Sequence, residues 1–522
     1  MKMTRFVLRS RIATVLFASV VVVAAAGAAP RHPDAASLNK NSREIFETAM
    51  QWGDQYYDAK AKLCRMPPSP QYAEAHLPTY LAVRESGWYA VGLLLRDGSG
   101  DRERAAQILD TVLNAQYREP GKPWDGTFRR TPAEPEPGTQ AVMWHAYDPN
   151  WREFVGTTFA LILTEYPNRV SEDLRRRMMD AIDYAVAGEM KQGRLVPTYT
   201  NISLMYGFLW DFAAVRGGKP EWKAQAEQWQ KTTYDLYKQH DAFYEYNSPT
   251  YSGTDVFGLA LWRDYGFTPL MRKRGSEMEA GLWRTTADLY NANLRNISGP
   301  YDRAYGMDMQ SYVSVIGLWL RTVLDADHAP LTSFNPPARF DLPVDHIPDL
   351  WMVPLIVVLD TRIPPDAMAR FESFPGEHQV RRPIADQRIA TAWIGKTVIY
   401  GGEVTGHTRA VDAQSQLHPV TVQWQAPQGK IGWIQLTRSP AIDASADKGG
   451  IVISAAGDVS FRISAPAIAA SDATEAQWNL PGLTVRVKTD AKSFTAAKHG
   501  PFVDIEYKGM TLMVLTLTRQ GE

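Results

Sequence analysis

Apolar residues recur at three-to-four spacing along most of the chain from about residue 38 to about residue 360. Segments such as "SREIFETAMQWGDQYYDA", "WREFVGTTFALILTEYP", "NISLMYGFLWDFAAV", "KAQAEQWQKTTYDLYKQH", "GTDVFGLALWRDYG" and "MQSYVSVIGLWLRTVLD" each carry an apolar stripe of helical period. Ser171 followed by Glu172 and Asp173 is a helix start by residue type, with a capping hydroxyl and acids in the first turn. No motif of fixed length recurs, so the chain does not read as a tetratricopeptide or ankyrin solenoid. A closed α/α toroid accommodates loops of such unequal length, because they gather around one end and form a cleft. Beyond "FNPPARFDLP" and a short apolar helix at "LWMVPLIVVLD" the period changes. Runs such as "RIATAWIGKTVIYGG", "VTVQWQAP", "GWIQLTR" and "MTLMVLTLTR" are short, β-branched and often alternating, punctuated by Gly, Pro, Asn and Asp at hairpin distances. The pattern therefore predicts a multidomain chain, α then β: an N-terminal α/α toroid, incomplete or full, over residues 38–360, and a C-terminal antiparallel β-sandwich over residues 378–522.

The first residues are of another kind. Lys2, Arg5, Arg9 and Arg11 precede an apolar run from Ile12 to Val23, and Ala26-Gly27-Ala28 supplies a small-residue cleavage site. Residues 1–28 read as a cleavable signal peptide, too short in its apolar part for a comfortable membrane span. The expectation is a periplasmic or secreted protein with no membrane attachment after cleavage. Cys64 is the only cysteine, so no intramolecular disulfide forms.

Composition narrows the partners. At 522 residues, with 45% hydrophobic and 22% charged residues, the chain is globular and too long for one ordinary core. A net charge of −1 leaves no electrostatic footprint for nucleic acid. Aromatic residues make up 11%, including 16 Trp and 23 Tyr; such rings fill cores, and they also stack on the C–H faces of sugars.

Four polar stretches interrupt the helical pattern, each just before a helix: "MWHAYDPNWREF" with Trp144, His145 and Asp148; "PTYTNISLMYGFLW" with Asn201; "YEYNSPTYSGTDVF" with Glu245, Asn247 and Tyr251; and "ISGPYDRAYGMDMQSY" with Tyr301, Asp302, Arg303, Tyr305 and Asp308. In a toroid these places lie at one rim, where backbone N–H groups favour anionic ligands. Each has a plainer reading: Asn201 as a helix cap, His145 as a hydrogen-bonded histidine, Asp302 and Arg303 as an ion pair, the tyrosines as core rings. Four at equivalent places argue for a site. His145 and His240 lack the i, i+4 partner of helical zinc ligands, no Cys cluster exists, and phosphate loops and the G-x-S-x-G elbow are missing. Neither metal nor cofactor is expected. Two sugar-cleaving chemistries remain. A glycoside hydrolase needs two carboxyl groups, here drawn from Asp148, Glu245 and Asp308, with Glu153 weaker. A polysaccharide lyase needs a donor that neutralises a uronate carboxylate, a base for the adjacent proton and an acid for the leaving oxygen. Tyr serves as base or acid, and Asn, His or Arg as neutraliser.

"YEYNSPTY" resembles the E-x-S-P-x-Y stretch of heparinase II/III-like polysaccharide lyases, with one extra residue between Glu245 and Ser248. "TNISLMYGFLWDFAA" resembles that family's helix opening with a catalytic Asn. The resemblance implies an α/α toroid followed by an antiparallel β-domain, and β-elimination on an anionic polysaccharide or oligosaccharide. By position, Asn201 would neutralise the substrate carboxylate, Tyr251 would be base, acid or both, and Glu245 would orient its neighbours. Arg303 looks like the arginine that related toroidal lyases place near the site. Tyr301 and Tyr305 would line subsites, together with Asn247 and Trp144. The family's β-domain histidine doublet is absent; His407 in "TGHTR" and His418 stand nearest to it, and His145 competes for the role.

Overall fold

The computed structural model describes residues 31–66, 80–331, 346–412 and 415–520. The leader expected over residues 1–28 and the "FNPPARFDLP" connector lie outside them. The described residues form an N-terminal region of α-helices and a C-terminal region of antiparallel strands, the order the periodicity predicts.

The helices are α1 (Lys40–Tyr56), α2 (Val83–Arg96), α3 (Asp101–Asn114), α4 (Trp151–Glu165), α5 (Glu172–Gln192), α6 (Thr200–Arg216), α7 (Pro220–His240), α8 (Tyr251–Tyr265), α9 (Pro269–Leu289), α10 (Val315–Arg321), α11 (Val353–Leu359) and α12 (Pro365–Glu372). Helices α2, α4, α6, α8 and α11 pack each on the next, and α11 returns to α2, so the inner ring closes; α10 wedges against α8 and α11. Around it, α3 lies on α2, α5 on α4, α7 on α6 and α9 on α8. Composition sorts the layers. In α6 every residue from Thr200 to Ala214 is buried, as befits a helix covered all round. Its outer partner α7 keeps charged pairs such as Lys231 and Asp235 on a solvent face. "MQSYVSVIGLWLRTVLD" becomes helical only from Val315. Before that point Asn296 Oδ1 accepts from the Met309 N–H at 2.7 Å and Asp308 Oδ1 from Gln310 N–H at 3.0 Å, tying the chain into a turn.

Eleven strands form the C-terminal region: β1 (His378–Ala385), β2 (Arg388–Ile394), β3 (Val398–Val404), β4 (Val420–Gln425), β5 (Ile431–Arg438), β6 (Ile442–Asp447), β7 (Gly450–Ser464), β8 (Gln477–Leu480), β9 (Leu483–Thr489), β10 (Ser493–His499) and β11 (Phe502–Arg519). Pairing runs β8-β9-β11-β7-β5-β4-β3-β2-β1, all antiparallel, with β10 on β11. Strand β6 pairs with β7 along its length and meets β3 at Asp443 and Val404, folding the sheet over on itself. Long strands bend where register shifts, as β7 does on either side of Gly457.

The two regions share a core: the apolar cluster of the helices continues into Val380 and Ile384 of β1 and Ile399 of β3. The loop between α9 and α10 lies along β3 so closely that a Cβ on Gly401 would stand 1.9 Å from the Gly299 carbonyl oxygen, which only glycine permits. In that loop Tyr301 pairs its backbone with His418, its N–H reaching the His418 carbonyl at 3.0 Å. Residues ahead of α10 are thereby held against the sheet.

Candidate active site

A cavity of about 1070 Å³ opens where the loops before α4, α6, α8 and α10 converge, and each of the four polar stretches contributes to its wall. Trp144, His145, Asn201, Glu245, Tyr251, Arg303 and Tyr305 line it, and so does Asp148.

Tyr251 is the first residue of α8. Ser248 Oγ accepts from the Tyr251 N–H at 2.9 Å and Ser252 Oγ from the Ser248 N–H at 3.1 Å, a cap that leaves the tyrosine ring uncommitted. Two residues further in, a Cβ on Gly253 would sit 2.4 Å from the Ile316 nitrogen, and Trp319 donates to the Gly253 carbonyl at 2.9 Å. Helix α10 therefore seats the N-terminus of α8 and with it Tyr251. The Tyr251 hydroxyl meets that of Tyr305. The Arg303 guanidinium covers the Tyr251 ring, 3.6 Å from its centroid.

Behind the phenol lies a polar cluster built on Glu245, which is 8% exposed. Arg303 Nη1 donates to its Oε1 at 2.8 Å and Asn201 Nδ2 to its Oε2 at 3.1 Å. Burial raises the Glu245 carboxyl above the usual range and Arg303 opposes that rise. Asn201 is the second residue of α6, not its cap, and its Oδ1 is buried without a partner among the described residues. Arg303 Nε donates to Gln416 Oε1 at 2.9 Å, so a residue from the β-region completes its setting. Burial pushes the Tyr251 hydroxyl well above the ordinary phenol value, the neighbouring Tyr305 adds to this, and Arg303 pulls the other way. A cation beside a phenol is not enough here to make it acidic; desolvation wins, and Tyr251 rests protonated.

Other candidates sit elsewhere. Tyr301 is fully buried; its hydroxyl donates to the Ile297 carbonyl and its backbone pairs with His418, so it belongs to the seam between the regions and not to a subsite. Asn247 lies off the cavity wall and clamps the same seam, donating to the carbonyls of Ser298 and Pro300 at 2.8 Å each. Its φ of 51° is a left-handed conformation that Asn tolerates. His407 is exposed in the β-region beside Asp443, at 3.3 Å, and does not line the cavity. His418 is buried, which lowers its pKa. Asp308 is turned away, bonded to Asn296 and Ser311, and Glu153 is sealed between α4 and α5 beside Glu189 and Arg194. Asp302 and Arg303 do not pair with each other. Asp302 holds Arg388 and Arg409, and Arg388 also binds Glu403 at 2.7 Å.

Several wall residues escaped the sequence reading. Tyr199 stands two positions before Asn201 and receives the Asn150 amide at 2.8 Å; burial pushes its hydroxyl up to about 12. Asp255 is not on the wall itself but buried behind it, one turn after Tyr251, an i, i+4 spacing legible in "YSGTD"; its carboxyl is raised well above the usual range by desolvation and by Glu245. Gln416, Arg409 and His346 carry no local signal, since each reaches the cavity only through tertiary structure. Among the described residues no cluster of three or more His, Cys, Asp or Glu is placed to hold a metal ion, and no helix is long and apolar enough to cross a membrane.

The protein is a closed helical ring whose rim cavity is walled on one side by an antiparallel β-region. The chain belongs to the family described as "Domain of unknown function (DUF8769)", whose model matches residues 43–361. No curated protein matches it. Among solved structures the chain is similar to a heparinase III, with 7% identity and a TM-score of 0.39, covering 92% of this chain and 85% of that one. It is also similar to a heparan sulfate lyase HepC mutant from Pedobacter heparinus, at 9% identity and a TM-score of 0.27, covering 93% and 84%. A third is the endoglucanase CelQ from Clostridium thermocellum complexed with cellobiose and cellotriose, at 11% identity and a TM-score of 0.25, covering 92% and 93%.

Proposed function

We propose that this protein is an exported polysaccharide lyase that cleaves a uronate-containing glycan by β-elimination, with Tyr251 transferring protons and Asn201 and Arg303 neutralising the uronate carboxylate. The observation that carries the reading is the division of labour around Glu245. Both its oxygens are engaged, one by Arg303 and one by Asn201, so it orients those two side chains and is poorly placed to attack a sugar. Arg303 spends Nε and Nη1 on protein partners. Its Nη2 makes no hydrogen bond among the described residues, leaving that edge for an anion. Asn201 Nδ2 carries a second N–H beyond the one it gives Glu245, the donor assigned here to the uronate carboxylate. A neutralised carboxylate makes the adjacent C5 proton acidic enough for a phenolate to remove.

Incubation with glucuronate-, mannuronate- and galacturonate-containing polymers should yield products with the ultraviolet absorbance of a 4,5-unsaturated uronate. Saturated reducing ends alone would overturn elimination in favour of hydrolysis. That second reading rests on a specific observation: Asp148 and Glu245 both line the cavity and burial raises both carboxyls, as a glycosidase acid requires.

Trp144 marks the sugar platform. It is 55% exposed at the rim, with φ of 64°, a costly conformation for a bulky residue. Arg130 holds it there, donating to the carbonyls of Trp144 at 3.1 Å and His145 at 2.7 Å, and is itself anchored on buried Glu134. Trp144→Asn should keep or slightly raise the thermal midpoint, since Asn accepts a positive φ, and should weaken oligosaccharide binding about tenfold, the worth of one lost stacking contact. Unchanged affinity in calorimetric titration would remove Trp144 from the site.

A further inference from the structure

The Tyr251–Tyr305 contact is the feature of the cavity that a single-tyrosine mechanism leaves unused. The two hydroxyls meet, their rings lie 5.6 Å apart at 47°, and the two phenols are set in unlike surroundings. Tyr251 has the Arg303 guanidinium 3.6 Å over its face, with Tyr199 and Glu245 around it. Tyr305 is 38% exposed toward the cavity, and its other support is the imidazole of His346, stacked at 4.4 Å and 19°. His346 is fixed in turn by Asp349 at 3.6 Å and by the edge of Tyr312 at 6.3 Å. The Tyr251 phenol is thus covered by a cation, whereas the Tyr305 ring is braced by an imidazole, with its hydroxyl at the open side.

Resting on the lyase reading, we infer that Tyr305 is the second catalytic residue, the acid that protonates the departing glycosidic oxygen while Tyr251 removes the C5 proton. The steps balance within the pair. In the reactive fraction, scarce at neutral pH, one proton has left the two phenols to solvent and the charge is on Tyr251 beneath Arg303. The Tyr251 phenolate takes the C5 proton, and the C–H electron pair becomes the C4–C5 double bond. The C4–O4 bond breaks with its electrons on oxygen, and the Tyr305 O–H proton passes to that oxygen. Tyr251 is then neutral and Tyr305 charged. Transfer of one proton across their hydroxyl contact restores the starting state, with no outside acid or base consumed. His346 is a positioning residue here, acting only through the Tyr305 ring.

The test compares Tyr305→Phe and Tyr251→Phe on two substrates: the polysaccharide, and a synthetic uronoside whose C4 substituent is dinitrophenoxide, a group that leaves without a proton. Tyr305→Phe should lose about 10²–10⁴-fold on the polysaccharide, yet act on the activated substrate at close to the wild-type rate and still exchange the C5 proton for solvent deuterium. Tyr251→Phe should fail on both and show no exchange. Equal impairment of Tyr305→Phe on the two substrates, or full activity on the polysaccharide, overturns the assignment. If wild-type protein forms no unsaturated product from either, the elimination itself fails, and this division of roles with it. Thermal melting of both variants guards against misfolding, since each keeps its ring.

Discussion

Tyr251→Phe is expected to give a folded protein that turns over about 10²–10⁴-fold more slowly, the usual worth of a positioned proton-transfer group. The substitution removes one hydroxyl, which faces the cavity, and leaves the ring in place. The ring remains under Arg303, and the cap of α8 is untouched, because Ser248 bonds the backbone N–H of residue 251 and not its side chain. Circular dichroism and the melting temperature should therefore match wild type while the ultraviolet product signal vanishes. Retention of more than about a tenth of the activity would exclude Tyr251 from chemistry. The pH profile carries the same information with a definite sign. Burial holds the hydroxyl above its ordinary value, so the reactive phenolate is scarce at neutral pH and grows as pH rises. Wild-type kcat/KM should climb on the alkaline side. Arg303→Ala, which removes the opposing cation, should push that limb further alkaline.

The second large effect is on stability. Arg388 is 4% exposed and joins buried Asp302 to buried Glu403 across the seam between the helices and the sheet, with Arg409 beside them. Arg388→Met leaves two carboxylates in a dry place with one partly exposed arginine between them. The expected loss is about 3–5 kcal/mol, most of it the uncompensated charge and little of it the lost attraction. Urea unfolding should show it, and Arg388→Met combined with Asp302→Asn and Glu403→Gln should recover a large part. A loss below about 1 kcal/mol for the single variant would show that water reaches the cluster. Activity should fall with it, because Asp302 is the chain neighbour of Arg303, and its anchoring fixes where that guanidinium lies.

Much of the fold was legible because its layers differ in pattern. Helix α6 is apolar all round, α7 has a polar face, and the strands alternate; each follows from how many faces an element buries. The four pre-helix stretches were legible for a related reason: in a ring of hairpins the loops at one end converge whatever their lengths. What the sequence could not tell was direction. Tyr301 and Tyr305 lie four apart in one loop, yet one closes a seam and the other faces the cavity. That choice was made by the pairing of Tyr301 with His418, a contact across 117 positions. Asn247 and Glu245 diverge in the same way: a positive φ at 247 turns its amide onto the Ser298 and Pro300 carbonyls while Glu245 faces Arg303. The protonation of Tyr251 was not legible in the sequence, for a physical reason. Nearby cations are visible in a sequence, whereas the desolvation that outweighs them is not.

The family model ends at residue 361, whereas the cavity wall does not. Gln416, which receives Arg303, and Arg409, which grips Asp302, come from the loop that joins β3 to β4. The stretch of chain that can be recognised is therefore shorter than the stretch that makes the pocket. A helical fragment cut at the recognisable boundary, or grafted onto a foreign β-region, would keep Tyr251 and Asn201 and lose the hand that holds Arg303. For anyone trimming, swapping or fusing this protein, the indivisible unit runs through at least residue 417, the last wall residue of the cavity.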